Sequence, residues 1–223
     1  VNSGEYKVMG LAPYGKPIFT DLIKNNLIDI NNDGSFFLNM DYFDFCTGLT
    51  MTNNKFNRLF GGPPRKSETQ ITQKEMDIAA SIQKVTEEIV IKIARNIAKE
   101  TNEENLCLAG GVALNCVING ILNREKIFKR IWIQPAAGDA GGSLGAALAY
   151  WHHELQKPRV ELKDQMSGSY LGPKFENDLI ETKLKILKAN FKKYKKNEIM
   201  SLTAKELANE KTVGWFQGRM EFG

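Results

Sequence analysis

The amino-acid sequence predicts an α/β fold. Two strand-like runs, residues 105–109 and 130–134, each end in a turn of small residues that opens a helix. A long amphipathic helical pattern over residues 72–97 precedes them. Parallel strands need a long connection between them, usually a helix, so alternating strands and helices are typical of an α/β sheet.

The part of the chain before these strands is predicted as a helix, a hairpin, a loop and a long helix. Residues 5–11 form a short helical stretch, and a β-hairpin is expected around Asp33 and Gly34, because Asp-Gly favours hairpin turns. Residues 47–67 are rich in loop formers. Thr72 and Glu75 form a capping box that starts the long helix. Apolar residues then recur at steps of three and four on one face of it: Ile78, Ile82, Val85, Ile89, Ile93 and Ile97.

The remainder of the chain is predicted to begin a second domain. The pattern indicates helices at 176–187 and 201–209 and a strand at 212–217. We therefore assign residues 1–157 to a first domain, 158–175 to a connector and 176–223 to the start of a second domain. The chain begins without methionine and stops just after a strand-like run, so we expect it to be a fragment of a longer protein.

Composition narrows the class of protein. A net charge of +4 over 223 residues is too small to favour nucleic acid as a partner. The three cysteines, Cys46, Cys107 and Cys116, form no paired framework, and two of them lie in apolar runs. We expect buried free thiols in a cytoplasmic protein. No apolar run approaches the roughly 20 residues of a membrane-spanning helix, so no membrane association is expected.

The two turns after the predicted strands are the strongest functional signal. The first is Gly110-Gly111, with Asn115 one helical turn further on, and the second, residues 138–142, contains Asp139. Glycine lets a ligand approach the backbone, and a helix N-terminus offers free N–H groups to phosphate. Two such turns within about forty residues suggest two walls of one nucleotide cleft. Ordinary turns of a doubly wound sheet are the alternative.

Four charged residues are candidates for chemistry, each with a structural alternative. Glu5 could accept hydrogen bonds from ribose, and Lys7 could meet a phosphate, but both could equally be solvated charges on a helix. Asp139 could bind a metal over nucleotide phosphates, or cap a helix. Arg219 could hold a carboxylate or phosphate with two hydrogen bonds, or form a structural salt bridge.

Two other patterns point away from metal and RNA sites. The histidines, His152 and His153, are adjacent in a helix and point about 100° apart, so they cannot share one ion. The lysines at 183–196 are interleaved with Phe191 and Tyr194, as on some RNA-binding surfaces. A solvated face is favoured there, because lysine stems readily cover apolar neighbours.

Six ordered motifs together resemble one family. They are GEYKVMGLAPYG (4–15), MTNNKFNRLFGGPPR (51–65), MDIAASIQKVTEEIV (76–90), LCLAGGVALNCVING (106–120), IWIQPAAGDAGGSLGAAL (131–148) and VGWFQGRMEFG (213–223). This order resembles the carbamoyltransferase family that includes the nodulation protein NodU and antibiotic O-carbamoyltransferases. The resemblance covers most of the chain.

The resemblance implies a fold and a reaction. It implies one lobe of an actin/sugar-kinase-like (ribonuclease H-like) nucleotide-binding domain, followed by the start of a carbamoyl-handling α/β domain. Such enzymes use ATP, carbamoyl phosphate and a divalent metal, here iron or magnesium. They form a carbamoyl-adenylate and transfer the carbamoyl group to a hydroxyl of a sugar or antibiotic-like small molecule. The family's metal-binding histidines do not lie in this chain, so the fragment alone is expected to be inactive.

The resemblance also implies residue roles. Glu5 and Lys7 would lie at the nucleotide, and Lys7 and Arg219 would be the catalytic residues, with Arg219 near carbamoyl phosphate. Asp139 would ligate the metal. The adenosine-side turn would comprise Gly110, Gly111 and Asn115. Two alternatives stay open: a tRNA threonylcarbamoyl-transfer enzyme of the same superfamily, and a non-catalytic nucleotide-sensing module.

Overall fold

The computed structural model describes residues 5–159 and 166–222. The chain divides into two compact units, Val1–Gln134 and Pro135–Gly223. Helices and two small sheets make up the described chain, which confirms the α/β class in its coarse form. The domain boundaries at residues 157 and 175 stay predictions.

The first unit contains five helices and four strands within its described residues. Its helices are α1 (Glu5–Leu11), α2 (Thr20–Asn26), α3 (Asn54–Leu59), α4 (Gln73–Thr101) and α5 (Cys116–Glu125). Its strands are β1 (Ile28–Ile30), β2 (Phe36–Leu38), β3 (Asn105–Leu108) and β4 (Arg130–Ile133). Their order confirms the predicted helix, hairpin, long helix and strand–helix–strand sequence.

The two sheets have two strands each. β1 and β2 form the predicted antiparallel hairpin. β3 and β4 are parallel, and Asn105 lies opposite Arg130 while Leu108 lies opposite Ile133. Helix α5 is the crossover between them. The turn after β3 therefore lies at the carboxyl edge of a parallel pair, where α/β folds place ligands.

Helix α4 organises the core of this unit. Its start is fixed by Glu75, whose carboxylate accepts from the Thr72 backbone N–H at 2.8 Å. One apolar cluster packs on it around Val85 and Ile89, and a second around Ala94 joins it to α5. The predicted apolar face is only partly covered, because Ile82 is 39% exposed.

The second unit is largely helical where it is described. It contains a 3-10 turn (Asp139–Gly141), α6 (Gly142–Ala149), a π-helical turn (Tyr150–Glu154), α7 (Asn177–Ile186) and α8 (Lys196–Ala208). The two predicted helices are confirmed, with α8 starting five residues early. The predicted strand at 212–217 is wrong: these residues have no regular structure, and the nearest pairing is an isolated bridge between Lys174 and Arg219. A strand requires a backbone partner, and the described residues pair none with this run.

The cysteine prediction is wrong in one respect. Cys46, Cys107 and Cys116 are free thiols as expected, but all three are exposed. Side chains alternate along β3, and Leu106 and Leu108 take the covered face, so Cys107 falls on the uncovered one. Across the two described ranges, every helix is too short or too polar to span a lipid bilayer.

Candidate functional site

The turn after β3 presents open backbone. Gly110 adopts φ 101°, a conformation that favours glycine, and a 3-10 turn (Gly111–Leu114) follows before α5 begins. A methyl group placed on Gly110 or Gly111 would meet no atom within 4 Å. A ligand could therefore approach the main chain here without displacing protein.

Asn115 fixes the end of this turn. It is the N-cap of α5, and its Oδ1 accepts from the backbone N–H of Ile118 at 3.2 Å. Its Nδ2 donates to Oε1 of Gln83 on α4 at 2.9 Å. The side chain of Asn119 donates to the carbonyl of Ala113 at 2.7 Å and closes the turn from the α5 side. Asn115, which the sequence predicts to lie at the nucleotide, thus also has a structural role.

Lys7 lies on a wall of a large groove in the first unit. The groove has a volume of about 1170 Å³ and is lined mainly by apolar side chains from α4 and from the segments before it. Val112, within the turn after β3, lines the same groove. The Lys7 ammonium is exposed and lies 5.9 Å from the centre of the Tyr6 ring. The side chain of Glu5 lies outside the described residues, so its predicted role stays a prediction.

Three buried polar side chains on α4 were missed at the sequence level. Asp77 Oδ1 accepts from the backbone N–H of Lys16 at 2.7 Å, and Ser81 Oγ accepts from that of Phe19 at 3.0 Å. These two bonds hold the loop that follows α1. Gln83 holds Asn115. The sequence does contain a signal for them, because each is a polar residue among the apolar positions of an amphipathic helix. Buried polar groups are normally hydrogen-bonded, so such residues are expected to have partners.

The pKa of the Asp77 carboxyl is lowered below its ordinary value of 3.8. The main cause is the Lys16 backbone N–H, and the Gln73 side-chain amide, 2.9 Å from Oδ1, adds to it. A carboxyl whose pKa is lower in the folded state stabilises the fold above its unfolded pKa. That contribution is lost as the pH falls through the lowered folded pKa.

Replacing Asp77 with asparagine should therefore give a pH-dependent loss of stability. At neutral pH we expect Asp77→Asn to lower the melting temperature by roughly 2–5 °C. The difference in melting temperature between this variant and the wild-type protein should narrow as the pH falls below about 4. Thermal unfolding between pH 3 and 7 measures it, with Asp29→Asn as the control, because Asp29 is exposed on β1. A gap that is constant across this range would contradict the assigned role of the charge.

Asp139 is an exposed residue at the start of the 3-10 turn. Its side chain caps neither this turn nor α6. The turn is tight, since a methyl group on Gly141 would lie 2.2 Å from the carbonyl oxygen of Ala136. Within residues 5–159 and 166–222, no three His, Cys, Asp or Glu side chains converge on a possible metal position. The role of Asp139 as a metal ligand therefore stays a prediction.

Arg219 is exposed, and its Nη1 donates to the carbonyl of Gly172 at 2.9 Å. Among the described residues it pairs with no carboxylate, so the salt bridge given as its structural alternative is not observed. Its other guanidinium N–H groups face no described acceptor. His152 Nδ1 lies 2.7 Å from the carbonyl of Lys157, at the end of the π-helical turn.

Known proteins resemble this chain along the stretch that contains the motifs described above. Residues 1–148 match the family described as Carbamoyltransferase N-terminus. An uncharacterized protein of Synechocystis is 59% identical over 226 residues, which cover 100% of this chain and 37% of that protein. The nodulation protein NolO of Bradyrhizobium diazoefficiens is 36% identical over 220 residues, or 98% of this chain and 38% of NolO.

A shorter match supports the same relationship. Nodulation protein U of Bradyrhizobium diazoefficiens is 33% identical over 75 residues, which cover 32% of this chain and 13% of that protein. The chain spans 37% and 38% of the two relatives that it matches along its length.

Proposed function

Because the chain belongs to the carbamoyltransferase family, we propose that it contributes the nucleotide-binding part of an ATP-dependent O-carbamoyltransferase. In the proposed reaction water cleaves carbamoyl phosphate to carbamate and inorganic phosphate. A carbamate oxygen then attacks the α-phosphorus of ATP, which forms carbamoyl-adenylate and releases pyrophosphate. The carbamoyl group then passes from AMP to a hydroxyl of a sugar or antibiotic-like small molecule. Residues 1–157 are proposed to be a lobe of an actin-like domain.

The observation that carries this proposal is the turn between β3 and α5. Its backbone at Gly110 and Gly111 faces open space, and Val112 shares a groove with Lys7. Backbone N–H groups at the start of a helix favour anionic ligands. A nucleotide at this turn would find a cation, Lys7, on the wall of the same groove.

Each predicted residue has a role in this proposal. Lys7 and Glu5 contact the nucleotide, and the ammonium of Lys7 balances negative charge on its phosphates. Arg219 has guanidinium N–H groups that can hold carbamoyl phosphate with two parallel hydrogen bonds. Asp139 supplies one oxygen ligand to a divalent metal, iron or magnesium, which would neutralise phosphate charge.

The chemistry needs no covalent enzyme nucleophile. Attachment to AMP supplies a good leaving group and makes the carbamoyl carbon electrophilic. Fixed donors that face the developing negative charge then lower the barrier, because they need no reorganisation during the reaction. Exposure of Cys107 and Cys116 does not alter this proposal, since neither thiol is hydrogen-bonded to a described side chain that could act as a base.

Carbamoyl-adenylate formation by the intact protein is the direct test. The protein is incubated with carbamoyl phosphate, ATP and a divalent metal, without acceptor, and pyrophosphate and carbamoyl-adenylate are measured. We expect both products. ATP binding without either product would favour a nucleotide-sensing module. Transfer of a threonylcarbamoyl group to added tRNA, with AMP as the leaving group and no carbamoyl transfer to small hydroxyl compounds, would favour the tRNA-modifying alternative.

A further inference from the structure

The buried amide of Gln83 is fully used in hydrogen bonds. Gln83 is 9% exposed, and its Oε1 accepts from Nδ2 of Asn115 at 2.9 Å. Its Nε2 donates to Oε1 of Glu87 at 3.1 Å and lies 3.4 Å from Oδ1 of Asn115. An amide buried in this way loses stabilising bonds if any partner moves, so it favours a single arrangement of its neighbours.

Asn115 is the link between Gln83 and the turn. Its Oδ1 caps α5 by accepting from Ile118, and its backbone N–H donates to the carbonyl of Val112 at 3.0 Å. The side-chain rotamer that caps the helix is the one in which Nδ2 reaches Gln83. One amide hydrogen of Asn115 has no partner among the described residues, and it is available to a ligand.

We propose that Gln83 is a positioning residue for nucleotide binding, acting through Asn115 on the turn at residues 110–115. This proposal rests on the proposed function. Helix α4 spans 29 residues and packs in both apolar clusters of the unit, so it is a rigid reference for the turn. A hydrogen bond from a rigid element restricts the conformations that the free turn would otherwise sample, and such preorganisation strengthens binding.

Gln83→Met is the informative variant. Methionine has the same length and no amide, so it keeps the packing of α4 and removes every bond to Asn115. In the intact protein we expect the dissociation constant for ATP, measured by calorimetry, to rise about tenfold. We also expect faster hydrogen exchange in the peptide that spans residues 110–118.

A control variant separates positioning from loss of stability. Phe128→Leu removes part of a buried side chain in the cluster that also contains Ala94, Ile118 and Leu122, and Phe128 makes none of the hydrogen bonds of the turn. It should lower the melting temperature and leave both ATP affinity and exchange at residues 110–118 at wild-type values.

The two readouts separate failure of this inference from failure of the proposed function. Wild-type protein that binds no ATP would count against the proposed function. Hydrogen exchange at residues 110–118 would then be the only measurement that tests whether Gln83 holds the turn. Unchanged exchange at residues 110–118 in Gln83→Met would overturn the positioning role, whether or not ATP binds. Equal weakening of ATP binding by Phe128→Leu would also overturn it.

Discussion

Replacing Gly15 with alanine is expected to destabilise the protein by about 2–4 kcal/mol. A methyl group on Gly15 would lie 1.9 Å from the carbonyl oxygen of Met76 and 2.7 Å from the backbone nitrogen of Asp77. Both atoms belong to the main chain of α4, which cannot rotate away as a side chain could. The loop must therefore leave the helix.

Moving this loop breaks several bonds at once. The hydrogen bonds from Lys16 to Asp77 and from Phe19 to Ser81 both cross this contact. The Asp77 carboxylate and the Ser81 hydroxyl, both buried on α4, would then lose these donors, at a cost beyond that of the clash. Because α1 directly precedes the loop, we also expect weaker ATP binding through displacement of Lys7.

Gly10→Ala is the matched control. Gly10 lies inside α1, and a methyl group there meets no atom within 4 Å. Alanine is the better helix former, so this variant should leave stability unchanged or raise it by up to about 1 kcal/mol. Urea unfolding of both variants measures the difference. Equal stabilities would show that the loop yields to the methyl group without leaving α4.

The order of elements was predictable because each has a local signal. Asp33-Gly34 marks the hairpin, Thr72 with Glu75 marks the start of α4, and the glycines at 110 and 111 mark the end of β3. These signals depend only on neighbours in sequence, so contacts between distant parts of the chain do not override them. Local patterns also gave candidate roles to single residues but left a structural alternative open for each, and the family resemblance favoured the functional role.

Predictions that depended on tertiary partners fared worse. Trp215 and Phe216 favour a strand by propensity, but a strand also needs a paired neighbour, which local sequence does not specify. Cys107 was assigned to the core from its apolar neighbours, although alternation along β3 places it on the opposite face from Leu106. Gln83 could be recognised as an anomaly on α4, but its partner Asn115 lies 32 residues away and emerged only from the structure.

Replacing Asp139 with alanine is expected to reduce carbamoyl-adenylate formation about 100-fold or more, with little change in stability. The reasoning starts from what this carboxylate does not do. It is exposed and caps neither the 3-10 turn nor α6. Loss of a genuine N-cap would cost roughly 0.5–2 kcal/mol. The carboxylate can therefore bind a metal without giving up a capping hydrogen bond that stabilises the fold.

Stability, metal content and product formation together decide between these roles. Metal bound per protein, measured by mass spectrometry after gel filtration, should fall in Asp139→Ala, and unfolding by urea should match wild type. Glu154→Ala, at an exposed acid in the π-helical turn after α6, controls for simple loss of negative charge. A variant that keeps its metal and its adenylate but loses about 1 kcal/mol would make Asp139 a structural residue of the turn. Loss of carbamoyl-adenylate with unchanged metal content would instead indicate that the carboxylate contacts the substrates. Metal content and adenylate formation should fall together only if Asp139 binds the ion.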